Sequence, residues 1–471
     1  MMSRWKIGML AWVALCGVSL AQTAPNNEQL VQSFRALLSS SSDTQAVINA
    51  VADAVKQALQ QGPVSAEQAQ AAMAAAPAPA AAPAVVPPKT WADSITMKGD
   101  VRYRTELRKD KNANAATDPN ANIEYDRLRA RFGLEAKVSD NVKAVVRLTT
   151  DGAGTGGAGM GGDPQSGNQD LNNGASKKPI WLDLAYMDWN LFGEDASELH
   201  VLAGKMNNPF MTMPDDLIWD PDTTPEGVAA RGTLDLSPVT LYGNAGYFVL
   251  NNQNSATARD NQVSLYGAQL AARYEFIPEV ALTMGASYYS FYNIQGANPL
   301  NFDEMGKIKT NSTTFYGNTL NYKNKTSTSG KSFADDYRMF EPFAQLDLYP
   351  TVCGRVVPVA MFGQVDQNIA ASHKNQGYMY GLSLGKAKNP QTLAVGITYA
   401  NLEKDATLGM WTDSDRWGGG TDGAGIKPYI KYMILKNLMG SITYYNDKKG
   451  ISSKNNGYDY ERWQFDLTAS F

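Results

Sequence analysis

The chain contains little cysteine, little histidine and no surplus of positive charge. Of its two cysteines, Cys16 lies near the start and Cys353 stands alone, so we expect no intramolecular disulfide in the mature chain. The two histidines, His200 and His373, belong to no His/Cys cluster with metal-ligand spacing, so no metal site or other cofactor is predicted. A formal net charge of -4 argues against a nucleic-acid-binding protein.

Long apolar runs are also missing beyond the first residues. We expect 1–21 to be a signal peptide, because Arg4 and Lys6 precede the apolar stretch 7–20 and small residues stand before Gln22. The apolar stretch is too short for a comfortable transmembrane helix, and no later run of about 18 apolar residues exists. The chain is therefore predicted to leave the cytoplasm without a spanning helix.

The region after the leader divides into two parts by composition. Apolar residues at helical spacing predict helices over 22–76, either two amphipathic helices without a partner or a short oligomerising coil. Residues 77–90 are mostly Ala and Pro and predict a semi-rigid linker. The folded domain is then expected to occupy 91–471, with the helical segment in the periplasm.

What the rest of the chain does contain is strict polar and apolar alternation. From Arg462 to Phe471 polar and apolar residues alternate one by one. This period of two predicts a β-strand with one polar and one apolar face. The strand near 94–108 carries Arg102 and Arg104 on its polar face. Each Arg or Lys facing lipid at mid-bilayer costs about 2–4 kcal/mol, so the charged faces must point to water.

Connections of alternating length decide between a soluble sandwich and a membrane barrel. Sixteen alternating segments occur between 94 and 471, joined by seven tight turns and eight mostly longer loops. An even-stranded barrel with both chain ends on one side of the membrane has short turns at one end and long loops at the other. A β-sandwich does not need its short and long connections to be separated in this way. The predicted fold class is all-β: a 16-stranded antiparallel transmembrane β-barrel, preceded by a short helical periplasmic segment.

Several short motifs in order carry a family resemblance. They are 127–133 (RLRARFG) with the turn 137–142, 181–186 (WLDLAY), 203–210 (AGKMNNPF) and the loop 413–425 around WGGGTDG. These segments resemble the "putative porin" family of Gram-negative outer-membrane barrels. The resemblance covers roughly 94–471 and implies an outer-membrane diffusion channel, without implying a particular solute.

Charged residues on the strands and on one loop form the candidate functional site. The basic wall expected to line the pore comprises Arg102, Arg104, Arg127, Arg129, Arg131 and Arg147. The third long loop carries the acids expected to form a constriction, which are Asp215, Asp216, Asp220, Asp222 and Glu226. Four prolines in the same loop restrict its backbone. Acids facing bases would set a transverse field across the pore. The alternative is a solvated external loop.

The predicted function is a passive porin for small hydrophilic solutes and ions that catalyses no reaction. One alternative is a barrel with an adhesive or structural role. The other is a barrel-rim hydrolase, which the chain supports poorly because it has only two histidines that could serve as a general base. The histidines are expected at the surface, and Asp413 and Asp415 in an exposed Gly-rich loop. Expected partners are outer-membrane lipid and lipopolysaccharide, two further copies in a homotrimer, and the barrel assembly machinery through Phe471.

Overall fold

The computed structural model describes ten stretches of the chain. They are 91–111, 122–151, 162–172, 174–194, 196–251, 262–299, 313–322, 330–352, 354–453 and 457–471. The predicted signal peptide 1–21, helical segment 22–76 and linker 77–90 lie outside the described residues. No helix in the described part is both long and apolar enough to cross a membrane.

Sixteen long strands in the described residues form one closed antiparallel sheet, so the predicted barrel is confirmed. Each strand pairs with its neighbours in the chain, and the first pairs with the last from Asp100↔Ser470 to Asp110↔Tyr460. The strands are β1 (Ile95–Asp110), β2 (Asn122–Lys137), β3 (Val142–Thr150), β4 (Ile180–Glu194), β5 (Ser197–Lys205), β6 (Glu226–Asp235), β7 (Val239–Asn251), β8 (Val263–Ile277), β9 (Val280–Tyr292), β10 (Arg338–Leu348), β11 (Val359–Asn368), β12 (Gln376–Gly385), β13 (Leu393–Leu402), β14 (Gly423–Leu435), β15 (Leu438–Lys449) and β16 (Tyr458–Ser470).

Alternation along each strand separates an apolar outer face from a polar inner face. On β1, Val101 and Tyr103 are 52% and 47% exposed, whereas the interleaved Asp100 and Arg104 are 8% and 5% exposed. The outer face thus presents apolar side chains where lipid would lie, and the charged side chains point into the barrel. Backbone hydrogen bonds of 3.0 Å in both directions between Gly99 and Phe471 complete the closure.

Loop length differs between the two ends of the barrel. Short turns join alternate strand pairs at one end, such as 236–238 between β6 and β7 and 436–437 between β14 and β15. At the other end the β5–β6 loop (206–225), the β9–β10 loop (293–337) and the β13–β14 loop (403–422) are long. These three loops pack against one another and against strands of the wall, and they position the site described below.

One side of the barrel interior is filled by an apolar cluster, beside which buried polar side chains such as Gln269, Glu341 and Gln364 also lie. Its buried members include Phe248 on β7, Leu265 on β8, Tyr289 on β9 and Met339 on β10. Side chains from all three long loops complete it, namely Met206, Phe210, Trp219, Ile294, Phe333, Tyr337, Leu408 and Trp411. The lumen therefore has a largely apolar half that is closed by loops and a charged half that holds a cavity.

Candidate functional site

A cavity of about 780 Å³ occupies the charged half of the barrel interior. Its wall is formed by the inner faces of β1, β2, β14, β15 and β16, and its other sides by the β5–β6 and β13–β14 loops. A third part of the lining comes from Gln165, Ser166 and Asn168, which follow β3 in the chain. The charged lining residues are Asp100, Arg102, Arg104, Arg129, Arg131, Asp215, Asp216, Asp220, Asp222, Asp413, Asp415, Lys427, Lys431 and Asp466.

Aromatic contacts fix the β5–β6 loop against the wall. The ring of Phe210 lies 6.1 Å from Phe248 and 5.1 Å from Tyr289, in both cases edge to face. Trp219 stacks on Trp411 of the β13–β14 loop with 5.0 Å between ring centroids. Such pairs add about 0.5–1.5 kcal/mol each beyond the apolar area they bury, so the loop has a defined position.

The side chain of Asp216 organises the turn that carries Trp219. Its Oδ1 accepts hydrogen bonds from the backbone N–H groups of Ile218 at 2.8 Å and Trp219 at 2.9 Å. Burial raises the pKa of Asp216 to about 6. Burial and neighbouring carboxylates also raise the pKa of Asp220 well above its usual range. These two acids therefore contribute less negative charge near pH 6 than a count of carboxylates would give.

Four arginines of the predicted basic wall line the cavity, and two do not. Arg102, Arg104, Arg129 and Arg131 are lining residues. Arg127 instead pairs with Asp170 at 2.8 Å, in the short segment Gln169–Asp170 that adds to β2. Arg147 pairs with Asp183 on β4 at 2.5 Å, and neither arginine is part of the described lining.

Two acids of the β5–β6 loop, Asp222 and Asp215, form direct ion pairs. Asp222 Oδ1 is 3.3 Å from Arg129 Nη1 and 3.4 Å from Arg131 Nη1. Both arginines also contact Asp100 on β1, at 2.9 and 2.6 Å. Glu226 differs from the other predicted acids, because it begins β6, pairs with Lys205 at 2.9 Å and does not line the cavity.

Asp215 joins the loop to a second basic group on the other side of the cavity. Its carboxylate lies 3.0 Å from Lys427 Nζ on β14 and 3.1 Å from Arg416 Nη2. Thr398 Oγ1 donates to the same carboxylate at 2.7 Å. Burial works to raise the pKa of Asp215, but the charges of Lys427 and Arg416 outweigh it and hold that pKa well below the usual range.

The β13–β14 loop is a part of the site that the sequence analysis missed. Asp413 pairs with Lys427 at 3.1 Å, and Asp415 lies 3.3 Å from Arg104 and 2.9 Å from Arg462. Burial works to raise the pKa of Asp415, but the Arg462 and Arg104 charges hold it well below the usual range. The expectation of an exposed Gly-rich loop is wrong, since these side chains are largely covered by contacts with the wall.

The expectation of surface histidines is also wrong for His200. It lies on β5, is buried, and has Asp188 Oδ1 2.5 Å from Nδ1 and Glu198 Oε2 3.0 Å from Nε2. Within the described stretches, no group of three or more His, Cys, Asp or Glu side chains is arranged to hold a metal ion.

Comparisons with known proteins bear on the barrel and not on the first hundred residues. The model of the "Putative porin" family matches residues 109–471. No curated protein sequence matches the chain.

Three solved porins illustrate the structural likeness. Pseudomonas putida OprB is 10% identical with a TM-score of 0.49, over 81% of this chain and 95% of that chain. Salmonella typhi OmpF in complex with daunomycin is 12% identical with a TM-score of 0.45, over 81% and 99%. A triple mutant of the Rhodopseudomonas blastica porin is 10% identical with a TM-score of 0.41, over 80% and 100%.

Proposed function

The chain belongs to the "Putative porin" family, and from this membership we propose that it is an outer-membrane porin. Its barrel would hold a water-filled channel through which small hydrophilic solutes and ions diffuse passively, without catalysis. The observation that carries this proposal is the charged cavity of about 780 Å³ inside the closed sheet. A channel for polar solutes needs a polar interior within an apolar outer wall, and this molecule has both.

The narrow part of this channel would lie between the β5–β6 loop and the basic wall. The loop acids Asp215, Asp216, Asp220 and Asp222 are proposed to line one side, and the arginines Arg102, Arg104, Arg129 and Arg131 the other. This proposal leaves out Glu226, Arg127 and Arg147, because they pair with residues outside the cavity and do not line it. Most of the opposing charges are paired at contact distance, so we propose weak ion selectivity rather than a strong transverse field.

Conductance across a planar lipid bilayer tests the proposal directly. Purified protein should insert in discrete steps and conduct K⁺ and Cl⁻ together, with a reversal potential near zero in a salt gradient. Heat-denatured protein is the matched control, because it contributes the same detergent and contaminants without a folded barrel. A heat-modifiable, folded protein that never conducts would contradict the proposal and would favour an adhesive or structural barrel.

We further propose that the porin assembles as a homotrimer with its N-terminal segment in the periplasm. Support comes from the sequence: a predicted signal peptide, a predicted helical segment and a sixteen-stranded barrel. The proposed partners are outer-membrane lipid, lipopolysaccharide and, during assembly, the machinery that would recognise Phe471. Crosslinking in mild detergent should give dimers and trimers, and a result with monomers alone would remove the trimer.

A further inference from the structure

Two cations on the cavity wall stand outside the ion-pair network. In the parts of the chain that the structure describes, Arg104, Arg129, Arg131 and Lys427 each have a carboxylate within 3.0 Å. The remaining basic lining residues are Arg102 on β1 and Lys431 on β14, and neither has such a contact with a described carboxylate.

The contacts that these two cations do make leave hydrogen-bonding capacity free. Arg102 Nη2 donates to Asn168 Oδ1 at 2.5 Å, while its buried Nε has no hydrogen-bond partner among the described groups. Lys431 Nζ lies 4.9 Å from the centroid of the Tyr429 ring, and its side chain is otherwise exposed to the cavity. A guanidinium offers five donors in a planar fork, so Arg102 retains donors for a further acceptor.

Strand register places the two cations on either side of a strip of hydroxyl groups. Arg102 pairs across with Thr468 on β16, and Lys431 pairs across with Ser441 on β15. Strands about 4.8 Å apart put the two Cα atoms about 16 Å from each other along the wall. Thr443 and Ser470 line the cavity on the same two strands. Asp466 also lies in this strip, opposite Ser441, where Arg104 pairs with it at 2.6 Å. One small ion cannot contact both cations at this distance, but it can pass from one to the other along hydroxyl donors.

The opposite side of the cavity does not repel an anion as strongly as its number of acids implies. Asp215 and Asp222 are each held by two cations at 3.0–3.4 Å. Burial raises the pKa of Asp216 to about 6, which weakens its charge near pH 6. Because Asp466 is paired with Arg104, the charges on the wall without a carboxylate partner are those of Arg102 and Lys431.

We propose that Arg102, Lys431 and the hydroxyl strip between them form an anion-binding path for small solutes that carry a carboxylate or phosphate group. The proposal rests on the porin function proposed above and names the solute class that the channel favours. Planar oxyanions match the fork of Arg102, and the hydroxyls of Ser441 and Thr468 can donate hydrogen bonds between the two cations. Chloride is a single acceptor atom, so it cannot give each of two guanidinium donors its own oxygen as a carboxylate or phosphate can.

Competition between chloride and an oxyanion in single channels tests the path. Inorganic phosphate and acetate, added separately to a KCl solution, should each reduce the wild-type current in a saturating manner, and the more effective of the two identifies the favoured group. In the double variant Arg102→Gln, Lys431→Gln the half-blocking concentration should rise by about tenfold, the factor expected for losing one hydrogen bond to a charged group. The variant should still conduct KCl.

Two further variants separate the proposal from a general effect of charge. Arg273→Gln removes a cation on the inner face of β8 that pairs with Asp347 at 2.6 Å and does not line the cavity, so it should leave the block unchanged. Arg102→Lys keeps the charge but loses the fork, and it should lie between wild type and Arg102→Gln. Heat-modifiable migration reports that each variant is folded.

The proposal is overturned if neither anion blocks the wild-type channel, or if the folded double variant is blocked at the wild-type concentration. An absence of any wild-type conductance would instead contradict the porin function on which the path rests.

Discussion

Replacing Asp222 by Asn should shift the channel toward anions by an amount that the structure allows us to work out. The carboxylate bridges Arg129 and Arg131 at 3.3 and 3.4 Å. Both arginines keep Asp100 as a partner at 2.9 and 2.6 Å. The variant should therefore fold, with the two arginine side chains in their wild-type positions on the barrel wall. The change therefore removes one negative charge from the cavity and little else.

The size of the shift follows from Coulomb's law with screening. Removing the charge lowers the energy of an anion that passes about 7 Å away in water by about 0.6 kcal/mol before screening. The energy of a cation on the same path rises by the same amount. At 0.1 M salt, with a Debye length of about 10 Å, roughly half of this remains, and the anion-to-cation permeability ratio should rise about threefold. At 1 M salt, with a Debye length of about 3 Å, almost none of the effect should remain.

Reversal potentials in salt gradients measure this ratio. Asp183→Asn is the matched control, because that carboxylate pairs with Arg147 at 2.5 Å and does not line the cavity. The control should leave the reversal potential unchanged at both ionic strengths. If Asp222→Asn behaves like the control in dilute salt, the β5–β6 loop does not border the ion path, and the proposed constriction fails while the barrel remains.

Three further outcomes are expected. Because burial raises the pKa of Asp216 to about 6 from 3.8, folding favours a bound proton there, so stability should fall as the pH rises from 4 to 6. Asp216→Asn, which keeps both backbone hydrogen bonds, should flatten the unfolding temperature over that range, and equal slopes would disprove this. Trp219→Ala should cost about 3–5 kcal/mol of packing and make the loop 206–225 sensitive to protease in a still-folded barrel. Its control is Trp189→Ala, because Trp189 lies on the outer face of β4 and is 48% exposed. Similar digestion of both variants would refute the anchoring role. Removal of 22–90 behind a retained leader should leave heat-modifiable migration intact, and its loss would show that the barrel depends on that region.

The barrel could be predicted because membrane and water impose opposite demands on neighbouring residues. Along β1, Val101 faces outward and Arg102 inward, and this alternation is written in the sequence without reference to any distant contact. The count of alternating segments predicted the strand number, and the segregation of short and long connections predicted the closed barrel. The facing of Arg102, Arg104, Arg129 and Arg131 follows from the same rule, which is why these four were predicted from residue types alone.

The partners of those residues could not be predicted in the same way. Arg416 and Asp215 are separated by 201 positions and meet only because two loops fold toward the same wall. Loops have no periodicity from which such a contact can be inferred. Arg416 also precedes Trp417, whose φ of 38° is rare for a residue other than glycine, so the local shape of this loop depends on its surroundings.

The apolar half of the lumen left a signal that the sequence analysis did not use. Phe248 follows Asn244 by four residues on β7, and Tyr289 follows Ser287 by two on β9, so each lies on the inward face of its strand. The sequence prediction rested on the charged residues of the inward faces and passed over these aromatics. Large apolar residues on an inward face indicate that something packs against them, and here it is the loops.

The division of the lumen also explains how densely packed charges can hold a fixed arrangement. Ion pairs near a surface contribute little net stability, because the charges give up hydration to form them. Burial of aromatic side chains such as Phe210 and Trp219 is favourable by about 25 cal/mol for each Å² of apolar surface removed from water. The apolar half therefore holds the β5–β6 loop in place, and the acids on that loop take their positions from it. Changes to the acids should alter ion selectivity with the loop still docked, whereas changes to the aromatic anchors should alter selectivity and loop stability together.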